Sequence, residues 1–352
     1  MLLTTELLFF SNPFSGNHQP PTDTSLQIYE EDTLLKYRLK ANYANDSFKK
    51  KLGFSLTTNQ FGFRDRRSYS KKKRNILVLG DSMPLGWGVD DSASYGYGLA
   101  EIIKESNYQV VNTSLPGSGP VNQYYLLKRI YSVFQPEVIL FHFYLQNDFR
   151  DSFLFNCMKY KDNEFKFDYH LHDPFFKRLA RRFGTLKWLH SRLKFAISPY
   201  EVTEYSQQRS IDIWSNEWIF QLNPTPYDRK IIETSYDWMD SIANFAAENQ
   251  SKLVLVIIPA VYQVYPEEFD KLIRQKYPNQ NFQFDIDMPN HHLKQWIAEN
   301  RQKLYRIIDL SEGFALTKSQ YPLYIDNDIH WTPIGNKIAS KYVSKQIADF
   351  IR

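Results

Sequence analysis

The side chains with chemistry in reach fall in four short stretches. Asn75 to Gly88 reads NILVLGDSMPLGWG, so Ser82 stands just past an apolar run that stops on Gly-Asp-Ser. Val110 to Gln123, VVNTSLPGSGPVNQ, carries Gly117, and Phe143 to Phe149, FYLQNDF, carries Asn147. Asp326 to Ser340, DNDIHWTPIGNKIAS, carries Asp328 and His330 just before a helical pattern. A serine at a strand end is by itself as good a turn or cap residue as a nucleophile. Accompanied by a histidine and an acid, it becomes material for nucleophilic acyl chemistry, in which an imidazole activates the hydroxyl and a carboxylate orients the imidazole.

These residues work together only if the fold brings the four stretches to one place. Apolar, β-branched runs at Asn75–Gly80, Tyr108–Asn112, Glu137–Leu145, Lys252–Pro259 and Tyr305–Leu310 show no alternation, which is the mark of strands buried on both faces in a parallel sheet. Helical patterns lie between and after them, at Tyr95–Glu105, Val121–Phe134, Glu233–Glu248, His291–Lys303 and Pro333–Ile351. This alternation predicts an α/β fold, a doubly wound, mainly parallel five-stranded sheet flanked by helices. Ligands of such sheets bind at the carboxyl ends of the strands, which is where all four stretches fall. The rhythm breaks at about 149–229, read as a helical insertion roofing or flanking one sheet edge. Residues 1–73, polar and punctuated after their start, read as an N-terminal extension packed on the main domain of residues 74–352.

The four blocks, in this order, resemble the SGNH hydrolase family, also called GDSL-type esterases and lipases, over Asn75 to Ile351 apart from the insertion. Thr57 to Arg67, TTNQFGFRDRR, is similar to the segment preceding Gly-Asp-Ser in bacterial members, many of them membrane-anchored and associated with surface polysaccharide. The literal Ser-Gly-Asn-His at Ser15–His18 sits in a polar loop and is coincidence. The resemblance implies a flavodoxin-like SGNH hydrolase fold and a serine esterase without metal or organic cofactor. Ser82 would be the nucleophile, His330 the general base and Asp328 the acid that fixes the imidazole. The Ser82 and Gly117 backbone N–H groups and the Asn147 side chain would form the oxyanion hole. Trp87, between Gly86 and Gly88, would border the substrate pocket, the glycines bending the chain away to leave Ser82 exposed at an open rim.

The sequence departs from the family pattern in three places. Met83 follows Gly-Asp-Ser where leucine is usual, a volume-conserving change. Leu145 stands where the third block usually has glycine. The acid three residues before the histidine is replaced by Asn327, leaving Asp328 two before, with Asp326 as fallback. Residues two apart in an extended loop point the same way, and Thr332-Pro333 is a good N-cap and N1 pair to start a helix behind His330. The expected activity is hydrolysis of O-acyl, chiefly O-acetyl, esters on a carbohydrate or another small acyl ester. O-acyl transfer to a polysaccharide uses the same residues, and a hydrophobic tunnel would favour a lipase or thioesterase instead. Asn327 supports a third reading, a non-catalytic glycan-binding or assembly subunit.

Composition bounds the rest. Lys and Arg total 43 against 39 Asp and Glu, a net charge of +4, too small for a dedicated nucleic-acid binder. The basic amphipathic stretch Phe175–Lys194 reads first as a solvated helix packed on the domain, with contact to an anionic membrane surface or glycan as the alternative. Cys157 is the one cysteine, so no internal disulfide forms. The start, MLLTTELLFFSNPF, is apolar but holds Glu6 and is too short to span a bilayer, so no complete targeting signal is read and the compartment stays open. His142 reads as a core histidine, while His291-His292 and His170-Leu171-His172 lack the partners for zinc. Asp81, Asp148 and Asn112 read as loop braces.

Overall fold

The computed structural model describes residues 28–162, 164–167, 215–277, 283–326 and 328–351. Strands β1 (Tyr29–Asp32) and β2 (Lys36–Leu39) form an antiparallel ribbon, followed by helix α1 (Asp46–Leu52). The main sheet is built from β3 (Arg74–Leu79), β4 (Tyr108–Asn112), β5 (Val138–Tyr144), β8 (Lys252–Ile258) and β9 (Arg306–Asp309), with a second ribbon, β6 (Met158–Lys161) and β7 (Glu164–Phe167), between β5 and β8 in the chain. All neighbours in the main sheet run parallel, in the order β4-β3-β5-β8-β9. The order reverses direction between β3 and β5. Such a reversal opens a crevice at the carboxyl ends of the strands, because the connections on its two sides leave toward opposite faces.

The continuous apolar runs are explained by two helical layers. Leu77 and Leu79 of β3 join a core with α4 (Pro120–Phe134), α5 (Asp148–Cys157), α6 (Pro226–Glu248) and α7 (Met288–Asn300), represented by Leu127, Phe149, Ile231 and Trp296. Ile76 and Val78, pointing the other way, join a second core with α3 (Tyr95–Ile102), α8 (Leu310–Ala315) and α9 (Pro333–Ile347), represented by Leu99, Phe314 and Val343. Successive side chains of a strand face opposite layers, so both must be apolar.

Two expected boundaries shift. Helix α6 starts at Pro226, not near Glu233, because Thr225 and Asp228 form a capping box and Trp218 donates its indole N–H to Asp228. Residues 149–157 lie in α5 with Phe149 and Cys157 fully buried, so they belong to the main core and not to a roof over it. A third cluster joins Ile28, Tyr37, Leu39, Phe48 and Phe54 of the extension to Leu85, Trp87, Leu115 and Val121 of the sheet-edge loops. Residues 1–27, His170–His172 and the basic stretch Phe175–Lys194 lie outside the described residues. Among the described residues no helix is long and apolar enough to cross a membrane.

Candidate active site

Strand β3 delivers the chain to the crevice, and Gly80 lets it turn by leaving space. A Cβ on Gly80 would stand 2.3 Å from Pro84 Cγ and 3.1 Å from His142 Cβ. Ser82 opens a one-turn helix, α2 (Ser82–Leu85), whose N-cap Asp81 accepts the Met83 N–H at 2.9 Å. A single turn has almost no dipole, so the amides near Ser82 act only as individual donors.

His330 and Asp328 reach Ser82 from the other side of the crevice. Ser82 Oγ lies 2.8 Å from His330 Nε2, and His330 Nδ1 lies 2.6 Å from Asp328 Oδ1. The Asp328 carboxylate only accepts, so Nδ1 carries the ring proton and Nε2 faces the serine with its lone pair. Asp328 Oδ1 also accepts the His330 backbone N–H at 3.1 Å, which makes the loop a two-residue turn and explains why the acid sits two before the histidine. The turn is held by Ile325 N–H on His330 O and by a bridge between Tyr324 and Trp331, and Thr332 caps α9 through the Gly335 N–H. Asp326 is exposed, and Asn327 lies outside the described residues.

Asn147 follows β5, and its amide nitrogen lies 3.2 Å from Asp81 Oδ2. In this contact the Asn147 NH2 donates to Asp81, which leaves its second N–H for another acceptor. Burial pushes the Asp81 carboxyl up, against the hydrogen bonds from Met83 and Asn147 that favour its anion. Gly117 has φ +69°, a left-handed conformation that favours glycine, and its loop is tied to Gly80 O by Leu115 N–H at 3.1 Å and Ser118 Oγ at 3.0 Å. Asn112 donates to Pro84 O at 2.9 Å, bracing α2 from the second strand.

Two expectations about access are corrected. Gly86 and Gly88 do adopt positive φ, yet Ser82 is 8% exposed, so the hydroxyl is recessed and not at an open rim. Trp87 is 6% exposed and packs edge-on against Phe54 and Phe48 of the extension. Its ring is core and offers no face to a sugar. The residue missed by sequence reading is Arg64, whose guanidinium is buried against the loop after Ser82. The signal was an arginine between aromatic residues and an aspartate in FGFRD.

His142 is fully buried, its Nδ1 shared between Leu79 O and Leu140 O, and burial pulls its pKa down to about 4, which keeps it neutral as a core residue. Among the described residues no three His, Cys, Asp or Glu side chains are grouped to hold a metal ion.

Residues 215–350 match the family described as SGNH hydrolase-like domain, acetyltransferase AlgX. This segment contains α6, β8, β9, the Asp328–His330 turn and α9. Over this segment the chain is similar to the SGNH hydrolases. The chain is 23% identical over 136 residues to the protein named probable alginate O-acetylase AlgJ of Pseudomonas putida, a match covering 38% of the chain and 32% of that relative. It thus spans about a third of the curated relative's length. Among solved structures, the chain is similar to TesA, with 12% identity, a TM-score of 0.40 and coverage of 78% and 99% of the two chains. The lipase/acylhydrolase from Enterococcus faecalis gives 12% identity, a TM-score of 0.40 and coverage of 79% and 97%.

Proposed function

We propose that this protein transfers a short acyl group, acetyl, between an ester donor and a carbohydrate hydroxyl through an acyl-enzyme on Ser82. The observation that carries the reading is the unbroken contact chain from Ser82 Oγ to His330 Nε2 at 2.8 Å and from His330 Nδ1 to Asp328 at 2.6 Å. Ser82 Oγ attacks the ester carbonyl while His330 Nε2 takes its proton. The tetrahedral oxyanion is met by the Ser82 and Gly117 N–H groups and the second Asn147 N–H. The C–O bond to the leaving alcohol breaks as His330 returns the proton to that oxygen, leaving acyl-Ser82. An incoming hydroxyl then gives its proton to His330, takes the acyl group and restores Ser82.

Water as acceptor makes the protein an esterase, and a sugar hydroxyl makes it an O-acyltransferase. The description of the matched family and the name of the Pseudomonas relative support transfer to a polysaccharide. The recessed Ser82 supports a small acyl group. The non-catalytic reading drew on Asn327, and the direct Asp328 contact with His330 supplies the acid that reading lacked.

The test is p-nitrophenyl acetate, butyrate and longer esters with wild type and Ser82→Ala, with mass spectrometry of the Ser82 peptide after brief exposure to the acetate. Short-chain turnover and one acetyl group on Ser82, both absent from the variant, are expected. A wild type that neither turns over nor is acetylated, even with oligosaccharide acceptors added, overturns the proposal.

A further inference from the structure

Arg64 comes from the extension, eighteen residues before Ser82 in sequence, and its side chain is 2% exposed. A guanidinium carries five N–H donors. All five are used here. Nε donates to Asp91 Oδ1 at 2.9 Å. Nη1 donates to Leu85 O at 3.1 Å and to Gly86 O. Nη2 donates to Ser55 O and Val89 O, both at 2.6 Å. Four of the five acceptors, on Leu85, Gly86, Val89 and Asp91, lie at the end of the nucleophile's turn and in the segment just after it.

That turn cannot hold itself. A helix of one turn has not recovered its nucleation cost, and its last carbonyls have no partners within it. Asp81 fastens the start of α2, and Arg64 takes the carbonyls at its end. The same turn carries the oxygen that must stay within hydrogen-bond reach of His330 Nε2. We infer that Arg64 is a positioning residue that fixes the angle of the Ser82 turn toward His330 by binding the carbonyls of Leu85, Gly86 and Val89. The inference rests on the reading of Ser82 as nucleophile. The five hydrogen bonds of Arg64 reach neither Ser82 Oγ nor the imidazole, so its contribution belongs to the geometry of attack, where a displacement of about 1 Å costs on the order of 100-fold in rate.

The structure also supplies a route for a decisive test. Arg64 and Asp91 line a cleft of about 290 Å³ that also includes Ser55, Thr57, Arg66 and Tyr97. A small guanidinium ion can therefore reach the space that Arg64→Ala vacates.

The experiment measures kcat and KM for p-nitrophenyl acetate in wild type, Ser82→Ala, Arg64→Ala and Arg64→Lys, with and without non-denaturing methylguanidinium, and records thermal unfolding of each. Arg64→Lys keeps a cation near Asp91 but lacks the planar fork. Both Arg64 variants are expected to lose roughly 10- to 100-fold in kcat with KM within about twofold and the pH profile unshifted. Methylguanidinium should restore at least a tenth of the loss in Arg64→Ala, and methylammonium should not.

Unchanged kcat in a folded Arg64 variant overturns the inference, as does a loss that guanidinium leaves in place. If only Arg64→Ala fails to fold, Arg64→Lys decides. If both fail, Arg64 is a structural pillar and the positioning role falls. A wild type that is silent like Ser82→Ala removes the nucleophile reading itself, a result distinct from an active wild type with indifferent Arg64 variants.

Discussion

At the scale of residues, the acid proposed for the site stands two residues before the histidine, and the geometry makes that assignment testable. Asp328 bonds the imidazole and the backbone N–H of the same histidine, so the tight turn lets an acid two residues before the histidine reach Nδ1. Replacing it with asparagine keeps the shape but lets the amide donate to Nδ1, which favours the wrong tautomer at Nε2. Asp328→Asn is expected to lower kcat by about 1,000- to 10,000-fold with KM little changed. Asp326→Asn should stay within about twofold, since that side chain is exposed. Steady-state kinetics on p-nitrophenyl acetate decide the matter, and the larger loss in Asp326→Asn would move the role to the other acid. The spacing of Asp-Ile-His pointed to Asp328 on the expectation of an extended loop, whereas the loop is a tight turn in which Asp328 also accepts the His330 N–H. The burial of Trp87 was not legible in the sequence, since its partners Phe48 and Phe54 lie 39 and 33 residues earlier in a segment without periodicity.

At the scale of elements, the sheet was readable almost to the residue because its strands are buried on both faces and so lack the alternation that makes edge strands ambiguous. The expected run Lys252–Pro259 is the strand Lys252–Ile258, and Tyr108–Asn112 is unchanged. The start of α6 was placed too late because the periodic apolar stripe is weak before Ile231, although Thr225-Pro226 already carried an N-cap and N1 signal. The shortness of α2 was hidden for another reason: Pro84 is compatible with a first turn, and only the packing of Gly80 against Pro84 and His142 shows how closely the turn is wedged. Gly80→Ala therefore forces β3 and α2 apart. It should destabilise the protein by about 1–3 kcal/mol and lower kcat together with thermal stability. Urea unfolding beside kinetics checks this, and a variant with wild-type values for both would mean that the wedge relaxes freely.

At the scale of the whole molecule, the crevice is backed by buried acids whose proton balance sets how stability responds to pH. Asp151 is held up to about 7 by burial, lowered in part by Arg150 and raised further by Asp81. Burial raises Asp81 and Asp148 as well. An unfolded aspartate loses its proton near the ordinary value of about 4. Folding therefore takes up a proton at Asp151 between about pH 4 and 7, and this contribution is full below that window and is lost as pH rises through it. His142 acts in the opposite sense. Burial keeps it neutral down to about 4 in the folded chain, so its contribution is full above about 6.5 and is lost as pH falls toward 4. His292, also pulled to about 4 by burial, adds to the second slope. The opposing slopes flatten the wild-type stability curve in mildly acidic solution. Asp151→Asn removes one of them while keeping a neutral side chain of the same shape. Relative to wild type, this variant should gain stability steadily from about pH 4 to pH 7, by at most about 4 kcal/mol. Urea unfolding at several pH values across the window reads the difference directly. A difference that does not change with pH would mean that Asp151 is already ionised in the folded chain, with Arg150 outweighing the burial that the three acids share behind Ser82.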